Sequence, residues 1–222
     1  MRYRYYHFVA CLALPLMAAC SSVSSAPGSV TYHIVPLSVP APYGHTWPEW
    51  SSRWLQWAVG LPPSHHPLWD TAPVDTCQSS PVWFLGGANS ISVPTRTATV
   101  PYGTALLVNP QLEEQDTAFG VTSLDSLALF TLADWTAYPP TGTIAVDGND
   151  IPNLYSYLID TSRCVLVLPD SNLFGYPPGK LAACTMGYFV MIDSLSKGEH
   201  TIHLQGGTTA FHASINYKFT VR

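Results

Sequence analysis

The sequence predicts a mainly β domain, a single sandwich or jelly roll with one or two helices packed on it. Short runs rich in Val, Ile, Thr and aromatic residues recur along the chain, each bounded by Gly, Pro, Asn or Asp. Charged residues make up 10% of the 222, against 12% aromatics and 20 prolines, a mixture that suits an aromatic-packed, loop-rich fold and not disorder. No segment repeats at a fixed period, which argues against a solenoid or propeller.

Taken in order, Val30 to Val35 alternates and is β-branched, as a first strand should be. The next element is a helix. Thr46 caps it, Glu49 three residues later completes a capping box, and Pro48 sits in the first turn. Gly60 ends it, with Pro62 and Pro63 beyond. Trp47, Trp50, Trp54 and Trp57 fall on one face, and Ser51, Ser52, Arg53 and Gln56 on the other. Four tryptophans on one face read more readily as core than as an exposed platform.

Strands follow at Val82 to Leu85, and at Thr97 to Val100 and Thr104 to Val108 on either side of the turn Pro101-Tyr102-Gly103. Ser123 to Trp135 reads as a second helix capped by Thr122 or Ser123, with a strand over Leu127 to Leu132 as the alternative. Thr143 to Val146 ends in the hairpin turn Asp147-Gly148. Tyr155 to Ile159, Val165 to Leu168, Gly187 to Ile192, His200 to Leu204 and Ala213 to Val221 complete the strands.

Several of these blocks carry a resemblance when taken together. They are the Trp-rich helix, Pro81-Val82-Trp83-Phe84-Leu85-Gly86-Gly87, Thr99-Val100-Pro101, Val146-Asp147-Gly148, Asn172-Leu173-Phe174-Gly175 and Gly198-Glu199-His200-Thr201-Ile202-His203. The chain resembles a set of uncharacterised exported bacterial proteins over most of its length. That resemblance implies one domain and no activity. Its members carry a cysteine where this chain has Ala98, which leaves the partner of Cys77 open.

The first 19 residues have the layout of a secretory signal: Arg2 and Arg4, then an apolar run from Phe8 to Met17, too short to span a bilayer. Leu16-Met17-Ala18-Ala19-Cys20 resembles the lipobox of bacterial lipoproteins, with Met17 where an aliphatic residue is usual. The resemblance implies diacylation of Cys20, and Ser21 after it favours the outer membrane. The competing reading is ordinary cleavage near Ala26 and release of a soluble protein. Residues 20–29 are then a lipidated cysteine and a flexible tether, and 30–222 the β-rich domain. Export implies an oxidising compartment, so one disulfide among Cys77, Cys164 and Cys184 is expected.

Removing Arg2 and Arg4 leaves seven basic residues, scattered, against fourteen acidic ones. Neutralising phosphates needs a basic patch, so nucleic acid is excluded as a partner. There is no G-x-S-x-G, no H-E-x-x-H and no phosphate loop. No cofactor motif is present. The candidates for chemistry are therefore Glu113 and Glu114, with Asp116, and the histidines; the carboxylates read first as a solvated loop, and otherwise as a group for glycoside hydrolysis or calcium. Asp147, Asp150 or Glu49 would have to supply a partner carboxylate across a cleft. His65, His66 and Asp70 form a loop able to hold a divalent metal such as zinc or copper. His200 and His203, three apart on a strand, point to opposite faces, one packed and one at the surface.

Catalysis would fall to Glu113, Glu114, His66 and His203. Binding would fall to aromatic rings in loops, namely Trp69, Tyr102, Tyr138 and Tyr176, because flat rings with polar tips suit sugar faces. The leading expectation is a lipoprotein, membrane-held through Cys20, whose sandwich binds a glycan or envelope component. A polysaccharide-active hydrolase or lyase and a structural envelope protein are the alternatives.

Overall fold

A computed structural model describes residues 32–222 except 67–72, 76, 88–92, 194 and 209–211. The leader, Cys20, the tether, Trp69 and Asp70 lie outside the described residues, as do the side chains of His65 and Phe119.

The described chain is mainly β, with twelve strands and two α-helices. In order they are β1 (His33–Val35), α1 (Trp47–Val59), β2 (Val82–Gly86), β3 (Thr95–Val100), β4 (Ala105–Asn109), β5 (Leu112–Asp116), α2 (Leu124–Ala137), β6 (Thr141–Val146), β7 (Asn149–Asp150), β8 (Leu158–Leu168), β9 (Gly179–Tyr188), β10 (Val190–Asp193), β11 (Gly198–Gly207) and β12 (His212–Val221). They form three sheets, ordered β1-β10-β4-β2, β3-β12-β11-β6-β7 and β5-β9-β8.

The first two sheets face each other as a sandwich. Alternation along each strand decides which side chains go inside. Trp83, Leu85, Leu106, Val108, Val190 and Ile192 from the four-stranded sheet meet Ile144, Ile202, Leu204, Ile215, Tyr217 and Phe219 from the five-stranded one. The opposite face of the four-stranded sheet (Val82, Ala105, Leu107, Met191) is closed by the tryptophan face of α1.

Helix α1 begins as its sequence requires. Thr46 Oγ1 accepts from the backbone N–H of Glu49, and the Glu49 carboxylate accepts from the Thr46 N–H at 2.7 Å. Its four tryptophans are all buried core, and three donate their indole N–H to a backbone carbonyl: Trp47 to Val39, Trp50 to Pro42, Trp54 to Leu85. Ser51, expected on the polar face, is fully buried. The reason is a second covered side, since Leu55 and Val59 pack on Leu166, Leu168, Leu181 and Ala183 of the three-stranded sheet.

That three-stranded sheet has α1 on one face and α2 on the other, through Leu127 and Ala128. It also corrects two expectations. Glu113 and Glu114 stand on strand β5, paired with Met186 and Thr185, and not on a loop. Tyr155 to Tyr157 belongs to a 3-10 turn, Leu154–Tyr157, and the strand begins after it.

Two sheet edges are finished by glutamine side chains. On edge strand β8 the Gln56 amide donates to the Val167 carbonyl at 3.0 Å and accepts from its N–H at 2.7 Å. Gln78 does the same for Phe84 on β2, at 2.7 and 2.8 Å. A primary amide presents the donor and acceptor of a peptide group, so each satisfies one position of an otherwise open edge.

The expected disulfide is absent, and Cys77, Cys164 and Cys184 are free thiols. Cys164 and Cys184 lie on neighbouring strands, but Cys184 opposes Arg163 and Cys164 opposes Ala183. The pleat therefore sends Cys164 towards Ser52 on α1 and Cys184 towards Thr131 on α2, with the sheet between them. Burial pushes the Cys164 thiol up to about 11, which further suppresses its reactivity. Protein unfolded in alkylating reagent without reductant should carry the adduct on all three residues by mass spectrometry. Joint loss of Cys164 and Cys184 from that count would contradict the pleat argument.

Candidate functional site

The strand registers define two poles of the sandwich. At one, the described chain begins beside His33, which opposes Asp193. Val221 opposes both Gly198 and Val100, and the turn after β3 donates the Tyr102 N–H to the Arg222 carbonyl. The Asp147 turn also lies here, its N–H bonded to the Thr201 carbonyl. At the other pole Gly207 opposes Thr141 and His212, Gly86 opposes Asn109, and Tyr188 donates its N–H to the Gln111 carbonyl.

This second pole carries an aromatic group that sequence reasoning missed in part. Trp135, near the end of α2, meets the Tyr188 ring edge-on at 5.2 Å, and Tyr155 meets the same ring at 5.6 Å and 89°. Trp135 and Tyr188 are buried, whereas Tyr155 is 67% exposed. Tyr138, just past the end of α2, is 60% exposed. Edge-to-face packing on buried Tyr188 holds the Tyr155 ring without covering it. The outward side of α2 adds Leu129, Phe130 and Leu132, all exposed. The signal for them was in the sequence: LDSLALFTLADW is apolar on every side, more than one buried face needs.

The four residues singled out for catalysis occupy separate surroundings. Glu113 faces α2, where Gln115 donates to it and to Asp134 at 3.3 and 2.8 Å. Burial raises its carboxyl above the usual range, and Asp134 adds to that. Glu114 points the other way, under α1. Burial, then the charges of Asp116 and Glu113, push it up to about 8, and its Oε1 is buried without a hydrogen-bond partner. His66 is fully buried against the Ala58 carbonyl, and burial lowers its ring below the usual histidine range. His203 lies on the outer face of the five-stranded sheet, its Nδ1 2.8 Å from Asn216 Oδ1. The groove of about 380 Å³ around it is lined by Thr95, Thr201, Asn216 and Lys218, with no carboxylate. Among the described residues no three His, Cys, Asp or Glu side chains converge as metal ligands.

Of the binding candidates, Tyr102 is exposed, at the first pole, and Tyr138 at the second. Tyr176, expected to be free in a loop, is half-buried against the core under α1, with Phe174 5.2 Å away. Trp69 lies outside the described residues.

One constellation has the order of a hydrolytic triad. Ser196 Oγ is 3.2 Å from His200 Nε2, and His200 Nδ1 is 2.7 Å from Asp147 Oδ2. The Ser196 carbonyl, however, is nearer to Nε2, at 2.9 Å. Both edges of the ring are thus occupied, and His200 is only 5% exposed. With Asp147 Oδ1 accepting from the Thr201 N–H at 2.7 Å, the group is a clamp that fastens two turns.

No protein-family model matches this chain. No curated protein matches it either. Among solved structures, the cysteine protease inhibitor EhICP2 from Entamoeba histolytica is similar over 64% of this chain and 96% of its own, at 10% identity and a TM-score of 0.25. PbICP-C, solved in complex with falcipain-2, is similar over 64% and 98%, at 12% and 0.26. Amebosin is similar over 65% and 100%, at 13% and 0.22. Likeness this low carries no argument about this chain.

Proposed function

We propose that this chain is an exported lipoprotein, held at the membrane through Cys20, whose sandwich binds a glycan or another envelope component without chemistry. The observation that carries the reading is Tyr155, an exposed ring packed edge-on against buried Tyr188, which Trp135 meets in turn, with Tyr138 exposed beyond α2. A ring already held in place loses little freedom on stacking against a sugar face. The enzyme alternative draws no such support, because Glu113, Glu114, His66 and His203 do not share a cleft.

The test mixes the whole chain with insoluble polysaccharides and peptidoglycan, measuring protein left in the supernatant and released fragments by mass spectrometry. Depletion without fragments is expected. Tyr155→Ala should weaken it about tenfold, the usual loss of an aromatic anchor. Release of fragments would replace this reading with the enzyme.

A structural envelope protein is the second reading, favoured by the apolar outer side of α2. Contiguous Leu129, Phe130 and Leu132 mark a surface that protein partners cover. Phe130→Asp, which faces solvent, should then abolish co-purification with an envelope partner while Tyr155→Ala leaves it intact.

A further inference from the structure

We propose that the pole where the chain enters the domain is its membrane seat, with Tyr102 and Lys197 meeting the phospholipid headgroups. The inference rests on the reading of Cys20 as the lipid anchor and adds to it an orientation. Eleven residues, 21–31, are all the chain between that cysteine and Tyr32, the first described residue, which packs at this pole's end of the sandwich core. A domain tied at this pole by so short a length meets the bilayer with this pole first.

The side chains found there suit an interface. Tyr102 is 61% exposed, on the turn between β3 and β4. The Lys197 ammonium, from the turn between β10 and β11, lies 5.2 Å from the centre of its ring. Exposed Arg222 is beside them, since its carbonyl accepts from the Tyr102 N–H at 2.7 Å. Amphipathic rings and long cationic side chains concentrate at the water–lipid boundary, the ring at headgroup level and the cation reaching anionic phosphate. Carboxylates at this pole keep their charge, but each is held by a hydrogen bond within the protein. Asp147 accepts from His200 and Thr201, Asp193 from the Tyr43 hydroxyl at 2.7 Å, and Glu199 from Thr220 at 2.6 Å. Lys197 faces outward on the turn that the His200 clamp holds, and Tyr102 on a turn tied to the Arg222 carbonyl. An anchored domain samples the surface at high effective concentration, so a small contact is enough to orient it. The aromatic pole with Tyr138 and Tyr155 then faces away from the membrane, where an envelope ligand can reach it.

The test expresses the whole chain with its own leader, purifies it from the membrane fraction and reconstitutes it into vesicles containing phosphatidylglycerol. Palmitate incorporation into wild type and not into Cys20→Ala establishes the anchor. Hydroxyl-radical footprinting then compares Tyr102 with Tyr155 in the same molecules. The expected result is that Tyr102 is shielded on vesicles relative to detergent while Tyr155 is unchanged. Lys197→Glu should return Tyr102 reactivity by about fivefold, the contribution of one surface cation. If lipid is incorporated but Tyr102 and Tyr155 react equally, or Phe130 on α2 is the residue shielded, the seat is wrong and the anchor stands. If no lipid is incorporated, the anchor reading fails and the seat falls with it.

Discussion

Replacing Trp54 by alanine lowers the unfolding free energy of this domain by about 4 kcal/mol, a large part of what a domain of this size possesses. Trp54 is 2% exposed, in the layer between α1 and the four-stranded sheet. Its ring meets Trp57 at 5.9 Å and Phe189 at 6.1 Å, both at steep angles. Truncation leaves a cavity that neighbours on a helix and a sheet cannot close. It also strips the Leu85 carbonyl of its indole donor, 2.9 Å away. Trp54→Phe keeps most of the volume and should cost about half as much. Urea unfolding followed by far-ultraviolet circular dichroism measures both. An alanine variant within about 1 kcal/mol of wild type would mean that α1 is not part of the cooperative core.

Glu114→Gln stabilises the domain at neutral and alkaline pH and does nothing in acid. The carboxyl lies under α1, raised by burial and then by Asp116 and Glu113 to about 8 from an ordinary 4.5. Below the ordinary value it is protonated both folded and unfolded and contributes no pH dependence. Between 4.5 and 8 the unfolded chain ionises while the folded chain keeps its proton, so stability falls as pH rises. Above 8 both states are ionised and the loss is complete. At about 1.4 kcal/mol per pH unit, the penalty at pH 7 is on the order of 3 kcal/mol. The amide removes it and gives the buried Oε1 position a neutral occupant. Unfolding midpoints at pH 4, 6 and 8 should separate progressively from wild type. Equal separation at all three would point to packing and not ionisation.

Glu114 also shows where sequence reasoning stopped. Its neighbour, its charge and the acidic run are readable, and the run reads as a loop because it follows directly on the predicted strand that ends at Val108. Pairing with β9 overrides that reading. The pleat then sends Glu113 and Glu114 to opposite faces, which no count of adjacent residues can supply. Cys164 and Cys184 repeat the lesson, since an oxidising address makes a bond permissible and the register of β8 on β9 forbids it.

By itself the sequence determined what is local. The capping box, the tryptophan face and the alternation of β11 and β12 are all set within a few residues, where spacing and side-chain chemistry act directly, while Thr122 and Ser123 both suited the cap that Ser123 makes. His200 was legible as packed and His203 as outward for the same reason. Only the tertiary structure decided which faces are covered twice, as at Ser51 and Leu55, and which rings reach solvent on a buried support, as Tyr155 does on Tyr188. Those outcomes depend on contacts between residues far apart in the chain, and a sequence pattern describes a face without saying what will be laid against it.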